Sequence, residues 1–296
     1  MEGPKKQHYV PKLYLKSFAI PDGKYQVWVY DKHTGKLFKR NINDVLLQND
    51  FYTLEEYKDK YLWEKLYSNI LEPDYAEQLN CIIEKCNNYA IPTSVPIIDF
   101  QFKVDFSFSL TMQFLRTPVM RKYLAGILPT VFDSVMEDEL QLNTKSSNSV
   151  INVLKTMDPN DGKTVKDLSF KTFLFQAPML KDFVDSFSRR EWIFCVSSRP
   201  QYITSDNPIV TINNLSRTAG FMESAFNSQH TGFVFSLTPR ICLLMISPAF
   251  GIIGKHDRNR VFITNDNDPW FTYLRNLQFQ NAERLLISQD KAYLEL

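Results

Sequence analysis

The spacing of hydrophobic and polar positions changes character twice along this chain. Near the N-terminus, YQVWVYD (25–31) alternates apolar and polar residues with period two, which predicts a half-buried strand. HTGK (33–36) has turn chemistry and LFKR (37–40) returns, so the pair predicts a β-hairpin. Ahead of the hairpin, Pro11 can occupy the first turn of a short helix with Leu15 and Phe18 on one face. Pro21-Asp22-Gly23 then turns the chain. NDFYTL (49–54) reads as a loop leading into a short strand.

From Tyr61 the period becomes helical. Trp63, Leu66, Tyr67, Ile70 and Leu71 make one stripe, and Tyr75, Leu79, Ile82, Ile83 and Cys86 continue it past Pro73, which should kink the helix or start a new one. Residues 99–116 and 118–142 read as two long helices meeting at Pro118. Polar loops are expected at 143–149 and 158–163, and a further helix over 166–188.

The second half switches to short β-type runs separated by turn signals: EWIFCVSS (191–198), PIVTI (208–212), GFVFSL (232–237), RICLLMIS (240–247) and RVFIT (260–264). A last helix over about 268–284 is followed by a strand-like LLIS (285–288). Hairpin, helices, strands, helix is a segregated order, which argues α+β. The expected architecture is an N-terminal β-hairpin and C-terminal strands forming a mainly antiparallel sheet, with a central helical bundle packed on it. We read residues 1–296 as a single domain: helix and hairpin over 1–55, a helical region over 56–190, and a strand-rich region with the final helix over 191–296.

Composition narrows the class. With 44% hydrophobic and 23% charged residues, the chain has the balance of a globular protein with a sizeable core. A net charge of +1 supplies no global field for nucleic acid, which leaves only local basic patches. Cys81 and Cys86 lie about 140° apart on one predicted helix, too divergent to bond. Cys195 and Cys242 sit in apolar runs as buried thiols. Thiols of this kind point to a reducing compartment, and MEGPKKQHYV is not a signal peptide, so a cytoplasmic location is expected. No 18-residue apolar stretch predicts a membrane span.

No GxGxxG, P-loop, HExxH or GxSxG motif is present. His230 and His256 are poorly matched to carboxylates, and His33 falls in the hairpin turn. What remains is a scatter of polar residues in apolar surroundings. His8, in QHYVP, precedes the short helix that Pro11 opens, and a helix N-terminus disfavours imidazolium. The plain alternative is that His8 merely anchors the chain end. Glu64 and Glu72 stand about 80° apart in helical projection, either sharing a broad face or separately solvated. Gln113 and Arg116, in MQFLRTPVMR, share a helix face with Phe, Leu and Met; a guanidinium beside an amide suits a carboxylate or phosphate, or an internal ion pair. Asp206 and Asn207, in YITSDNPIV, are either a binding edge or ordinary turn chemistry.

Taken together, QHYVPKLYLKSFA, the VWVYD hairpin and DFYT resemble the opening of the family called domain of unknown function 4238. Glu64 and Glu72 resemble its paired helical glutamates, QFLRTP its glutamine–arginine helix, and Trp192 followed by ITSDNP its Trp…TSDNP segment. FSLTP (235–239) is similar to a PLSP element, with Ser236 at the usual proline. The tail 274–286 is similar to an Asn-rich helix that places Asn276 and Asn281. The resemblance spans almost the whole chain and implies that His8, Glu72, Gln113, Arg116, Asp206 and Asn207 meet at one site.

Three functions fit these residues. One is a hydrolase of nuclease or nucleotide phosphodiesterase type, with His8 as general acid or base, Arg116 stabilising charge on phosphate, Gln113 positioning it, and Asp206 or Glu72 orienting His8 or holding a divalent metal. The second is a ligand- or partner-binding module anchored by Arg116. The third is a buried polar network that only fixes the fold. The partner expected under the first is nucleic acid or a nucleotide; a metal is compatible with the sequence and not demanded by it. Arg116 should in any case be buried and paired with Glu72 or Asp206, because an unpartnered buried guanidinium is very costly.

Overall fold

A computed structural model describes residues 5–53, 59–88, 96–123, 126, 177–213, 231–247, 260–264 and 267–295. By its contacts the chain falls into two compact units, one of residues 1–117 with 182–296 and the other of 118–181. The described residues of the second unit are helical. Of the helix expected over 118–142, only 118–123 and 126 are described; the loops expected at 143–149 and 158–163, the stretch 166–176, His230 and His256 lie outside the described residues.

The fold is α+β. Strand β1 (Lys6–His8) pairs with β4 (Leu47–Asn49). The hairpin of β2 (Gln26–Asp31) and β3 (Lys36–Asn41) continues into β11 (Leu285–Ser288) and β6 (Thr204–Ser205), giving a four-stranded antiparallel sheet in the order β3-β2-β11-β6. Gly35 closes the hairpin at φ 65°, a left-handed conformation that suits glycine. A second sheet runs β10 (Arg260–Thr264), β5 (Glu191–Ser197), β9 (Ile241–Ile246), β8 (Thr231–Thr238), β7 (Ile209–Asn213), antiparallel except for the β10–β5 pair. The hairpin thus pairs with a C-terminal strand as its pattern required, but the strands divide between separate sheets. The short strand expected after NDFYTL falls on 54–58, outside the described residues, while β4 precedes Phe51.

The described helices that build this fold are α1 (Lys12–Leu15), α2 (Leu62–Leu66), α3 (Glu72–Asn87), α4 (Phe100–Leu115), α5 (Ala177–Ser188) and α6 (Pro269–Asn281). Asp99 and Asp268 cap α4 and α6 through side-chain bonds to the nitrogens of Phe102 and Trp270. Strand β5 between its end residues, and β9 throughout, read as unbroken apolar runs because both faces of their sheet are covered. On one face Trp192 meets Phe106 of α4, Phe233 meets Phe187 of α5, and Phe235 stacks on Tyr14 of α1. On the other, Ile193, Cys195, Val234, Cys242 and Leu244 pack with Phe271 and Leu274 of α6. Each fully buried aromatic contributes about 1.5–3 kcal/mol. The four described cysteines are free thiols. Tyr14 pins the layers together, its hydroxyl donating to Ser236 O at 2.6 Å and accepting from the Thr204 hydroxyl at 2.7 Å.

Candidate functional site

The QHY segment is held on all sides. Gln7 accepts from the Tyr52 backbone N–H and donates to Thr53 Oγ1 at 3.1 Å, and the Tyr52 hydroxyl donates to His8 O at 3.2 Å. His8 itself is half-buried. Its Nε2 lies 3.1 Å from Ile42 O. A carbonyl can only accept, so Nε2 carries the proton and Nδ1 keeps its lone pair. Burial pushes the His8 pKa down to about 4, the Lys12 and Arg116 charges push the same way, and the Ile42 carbonyl opposes them. The imidazole is therefore neutral at pH 7, as the sequence predicted, but for a different reason. Helix α1 is only four residues long, and desolvation is the leading cause.

Glu64 and Glu72 flank a π turn, Tyr67–Leu71, between α2 and α3. Pro73 is in the first turn of α3, and its missing N–H and ring crowding disfavour an ordinary α turn before it. A π turn rotates the chain less per residue than an α turn, so it closes the 80° offset expected for a regular helix. The two carboxyls now interact. Burial first, and then the Glu72 charge, raise the Glu64 pKa to about 7, against Arg116 and Lys12.

This shift has a testable consequence for stability. The native state keeps the Glu64 proton between its ordinary pKa of 4.5 and about 7, where the unfolded chain is ionised. The associated stability is full below 4.5 and is lost as pH rises through about 7. Glu64→Gln should unfold like wild type in urea at pH 4.5 and be more stable at pH 8, by on the order of 1 kcal/mol once solvent screening is allowed for. Equal stabilities at both pH values would show that Glu64 is not perturbed.

Helix α4 delivers the third element. Gln113 donates to Tyr9 O at 3.3 Å, and its Oε1 accepts from Arg116 Nε at 3.1 Å and Nη2 at 2.9 Å. Arg116 Nη1 donates to Glu72 Oε1 at 3.1 Å, and the guanidinium lies 4.9 Å from the Tyr67 ring centroid. Arg116 is buried while Glu72 is partly exposed, so the expected pairing forms at the edge of the core. Burial works against the Arg116 charge; Tyr52 and Glu72 favour it and hold it cationic. Tyr67, Leu71, Glu72, Tyr75, Ser109, Met112, Gln113 and Arg116 line a small pocket open to solvent, with room inside for about one water-sized group. Periodicity placed Tyr67 and Tyr75 in the core stripe; the overlooked signal is that Tyr75 follows Glu72 by three residues on one helix face.

Asp206 and Asn207 are engaged elsewhere. Asp206 Oδ1 accepts from the Glu283 N–H at 2.9 Å, and Oδ2 from the N–H groups of Arg284 at 2.7 Å and Leu285 at 2.8 Å. Burial raises the Asp206 pKa, and these three N–H groups oppose it. Asn207 donates to Asn281 O at 3.2 Å, and Gln278 bridges Ser205 Oγ and Asn207 O. Arg284, in turn, grips Asp31, holding its carboxyl down at about 2. TSDN is thus the clamp that seats the α6–β11 corner on β6. Among the described residues no hydrogen bond or ion pair joins Asp206 or Asn207 to His8, Glu72 or Arg116. The structure brings together His8, Glu64, Glu72, Gln113 and Arg116. Asn276 is exposed on α6, and the Trp192 indole donates to Phe187 O at 2.9 Å inside the core.

Among the described residues no group of three or more His, Cys, Asp or Glu side chains is placed to hold a metal ion, and no helix is long and apolar enough to cross a membrane. No curated protein and no solved structure matches the chain. One family model does, described as a protein of unknown function, DUF4238, and it aligns with residues 6–292. That match covers nearly the whole chain, and by it the chain belongs to the DUF4238 family.

Proposed function

We propose that the His8–Glu64–Glu72–Gln113–Arg116 cluster is the active site of a hydrolase acting on phosphodiesters of the nucleic-acid or nucleotide class. The observation that carries this reading is a guanidinium held from two sides at an open pocket, close enough to act on a neutral imidazole whose Nδ1 is free to accept. Arg116 stabilises the charge that develops on the phosphoryl oxygens, with Gln113 and Glu72 positioning it. His8 Nδ1 takes a proton from the attacking water as its oxygen bonds to phosphorus. The phosphorus–oxygen bond to the leaving group breaks, and Glu64, protonated below about 7, supplies the proton to that oxygen. Solvent returns the proton from His8 to Glu64. An anion bound beside His8 would raise its pKa from the low value of the free protein toward a useful base.

A carboxyl poised near neutrality next to a second carboxyl favours acid–base chemistry over a purely recognising or structural network. The test is a screen of bis(4-nitrophenyl) phosphate, single-stranded RNA and DNA, and cyclic nucleotides, with and without Mg²⁺. Wild type should hydrolyse at least one of them, and Arg116→Lys, which keeps the charge but loses the two-sided grip, should fall about 10²–10³-fold in kcat. Wild-type protein that turns over none of these substrates, or an Arg116→Lys variant as fast as wild type, would remove the proposal.

A further inference from the structure

Tyr75 lines the same pocket as Arg116 and Glu72, and it is 3% exposed. Its ring packs against Phe106 at 6.0 Å, which holds the side chain in place. Its hydroxyl is buried and has no hydrogen-bond partner among the described residues. A buried hydroxyl without a partner costs roughly 1–3 kcal/mol, so a group retained in that state calls for a use. Nearby donors are also left over. The Arg116 guanidinium has five N–H groups; Nε and one N–H of Nη2 go to Gln113, and one N–H of Nη1 goes to Glu72. One N–H on each terminal nitrogen remains. Ser109, across the pocket, is already committed, donating to Gln78 Oε1 at 2.7 Å.

We propose that Tyr75 Oη–H and the two remaining Arg116 N–H groups form an inner cradle for a single oxygen of a phosphate ester, making Tyr75 a substrate-contacting residue. This rests on the phosphodiesterase reading above and refines its substrate class. The pocket that Tyr75 and Arg116 both line has room inside for about one oxygen-sized atom, so the cradle grips one non-bridging oxygen and leaves the ester groups outside. The carboxylate of Glu72 forms part of the same wall. It tolerates the single negative charge of a diester, which Arg116 balances, and repels the second charge of a monoester dianion. The site therefore selects diesters over monoesters and releases the monoester product.

The test uses the full chain at pH 7.5, with dimethyl phosphate and methyl phosphate as probes, titrated by ³¹P NMR against wild type and Tyr75→Phe. Unliganded thermal midpoints are recorded alongside. Wild type is expected to bind dimethyl phosphate more tightly than methyl phosphate. Tyr75→Phe should bind dimethyl phosphate about tenfold or more weakly, with a midpoint equal to or above that of wild type, since the change deletes an unpaired buried hydroxyl. Equal binding of dimethyl phosphate by wild type and Tyr75→Phe refutes the cradle while phosphodiester hydrolysis by wild type continues to stand. A lower midpoint for Tyr75→Phe also refutes it, because the hydroxyl would then be bonded within the fold. Wild-type protein that neither binds a phosphate ester nor hydrolyses one overturns the phosphodiesterase reading itself, and the cradle falls with it.

Discussion

Asp206→Ala should be the most destabilising single substitution among the candidate site residues, lowering the unfolding free energy by about 3–5 kcal/mol. The carboxylate accepts three consecutive backbone N–H groups, those of Glu283, Arg284 and Leu285, at the start of β11. Alanine removes the acceptor these part-buried donors share, and with it the bonds that seat the α6–β11 turn. The loss should spread to β2, whose Asp31 is gripped by Arg284. Asp206→Asn, which keeps one acceptor oxygen, should lie between the two. Chemical denaturation measures the stability, and turnover per folded molecule, taken well below the midpoint, should be unchanged. A stable Asp206→Ala variant that has lost turnover would place Asp206 in the catalytic cluster after all, and the structural role assigned to TSDN would be wrong.

His8→Ala has the largest expected effect on activity. Loss of a general base lowers turnover by about 10²–10⁴-fold. Stability should drop by only about 1 kcal/mol, the net worth of the bond from Nε2 to Ile42 O. His8→Asn can restore that bond and the stability without restoring turnover, because the amide cannot serve as a base. The pH profile carries independent information. His8 must be neutral, which holds above about 4, and Glu64 must be protonated, which holds below about 7. For the free protein, kcat/KM on bis(4-nitrophenyl) phosphate should therefore rise through about 4 and fall through about 7. In Glu64→Gln, the alkaline limb should disappear along with most of the rate. A profile flat from mildly acid to alkaline pH, or an active His8→Ala, would exclude this division of labour.

Local pattern was enough for the elements because each signal acts over a few residues. Alternation in YQVWVYD with HTGK yields the β2–β3 hairpin, and the aspartate before each helical stripe yields the capped starts of α4 and α6. The unbroken apolar runs 192–196 and 241–246 already imply strands covered on both faces. Two features of the site are also local in origin. A buried guanidinium needs a carboxylate, so Arg116 with Glu72 could be anticipated, and Gln113 three residues before Arg116 could be placed on the same helix face. Neutral His8 was legible too, although the helix terminus was the wrong cause and burial the right one.

Other features depend on where distant segments meet, and no local spacing encodes that. Which strands share a sheet is decided by pairing between residues some 250 positions apart, such as Asp31 with Leu285, so one expected sheet became two. The face relation of Glu64 and Glu72 turns on a π turn whose extra residue is invisible to a regular helical projection. TSDNP and HYVP look alike as polar segments beside a proline. Yet Asp206 meets three backbone N–H groups and is consumed in holding the fold, while His8 Nδ1 and the Tyr75 hydroxyl meet no hydrogen-bond partner among the described residues. Residue type sets what a group can bond. Only tertiary packing decides whether that capacity is filled from within the protein or left facing a pocket, and that difference separates a clamp from a site.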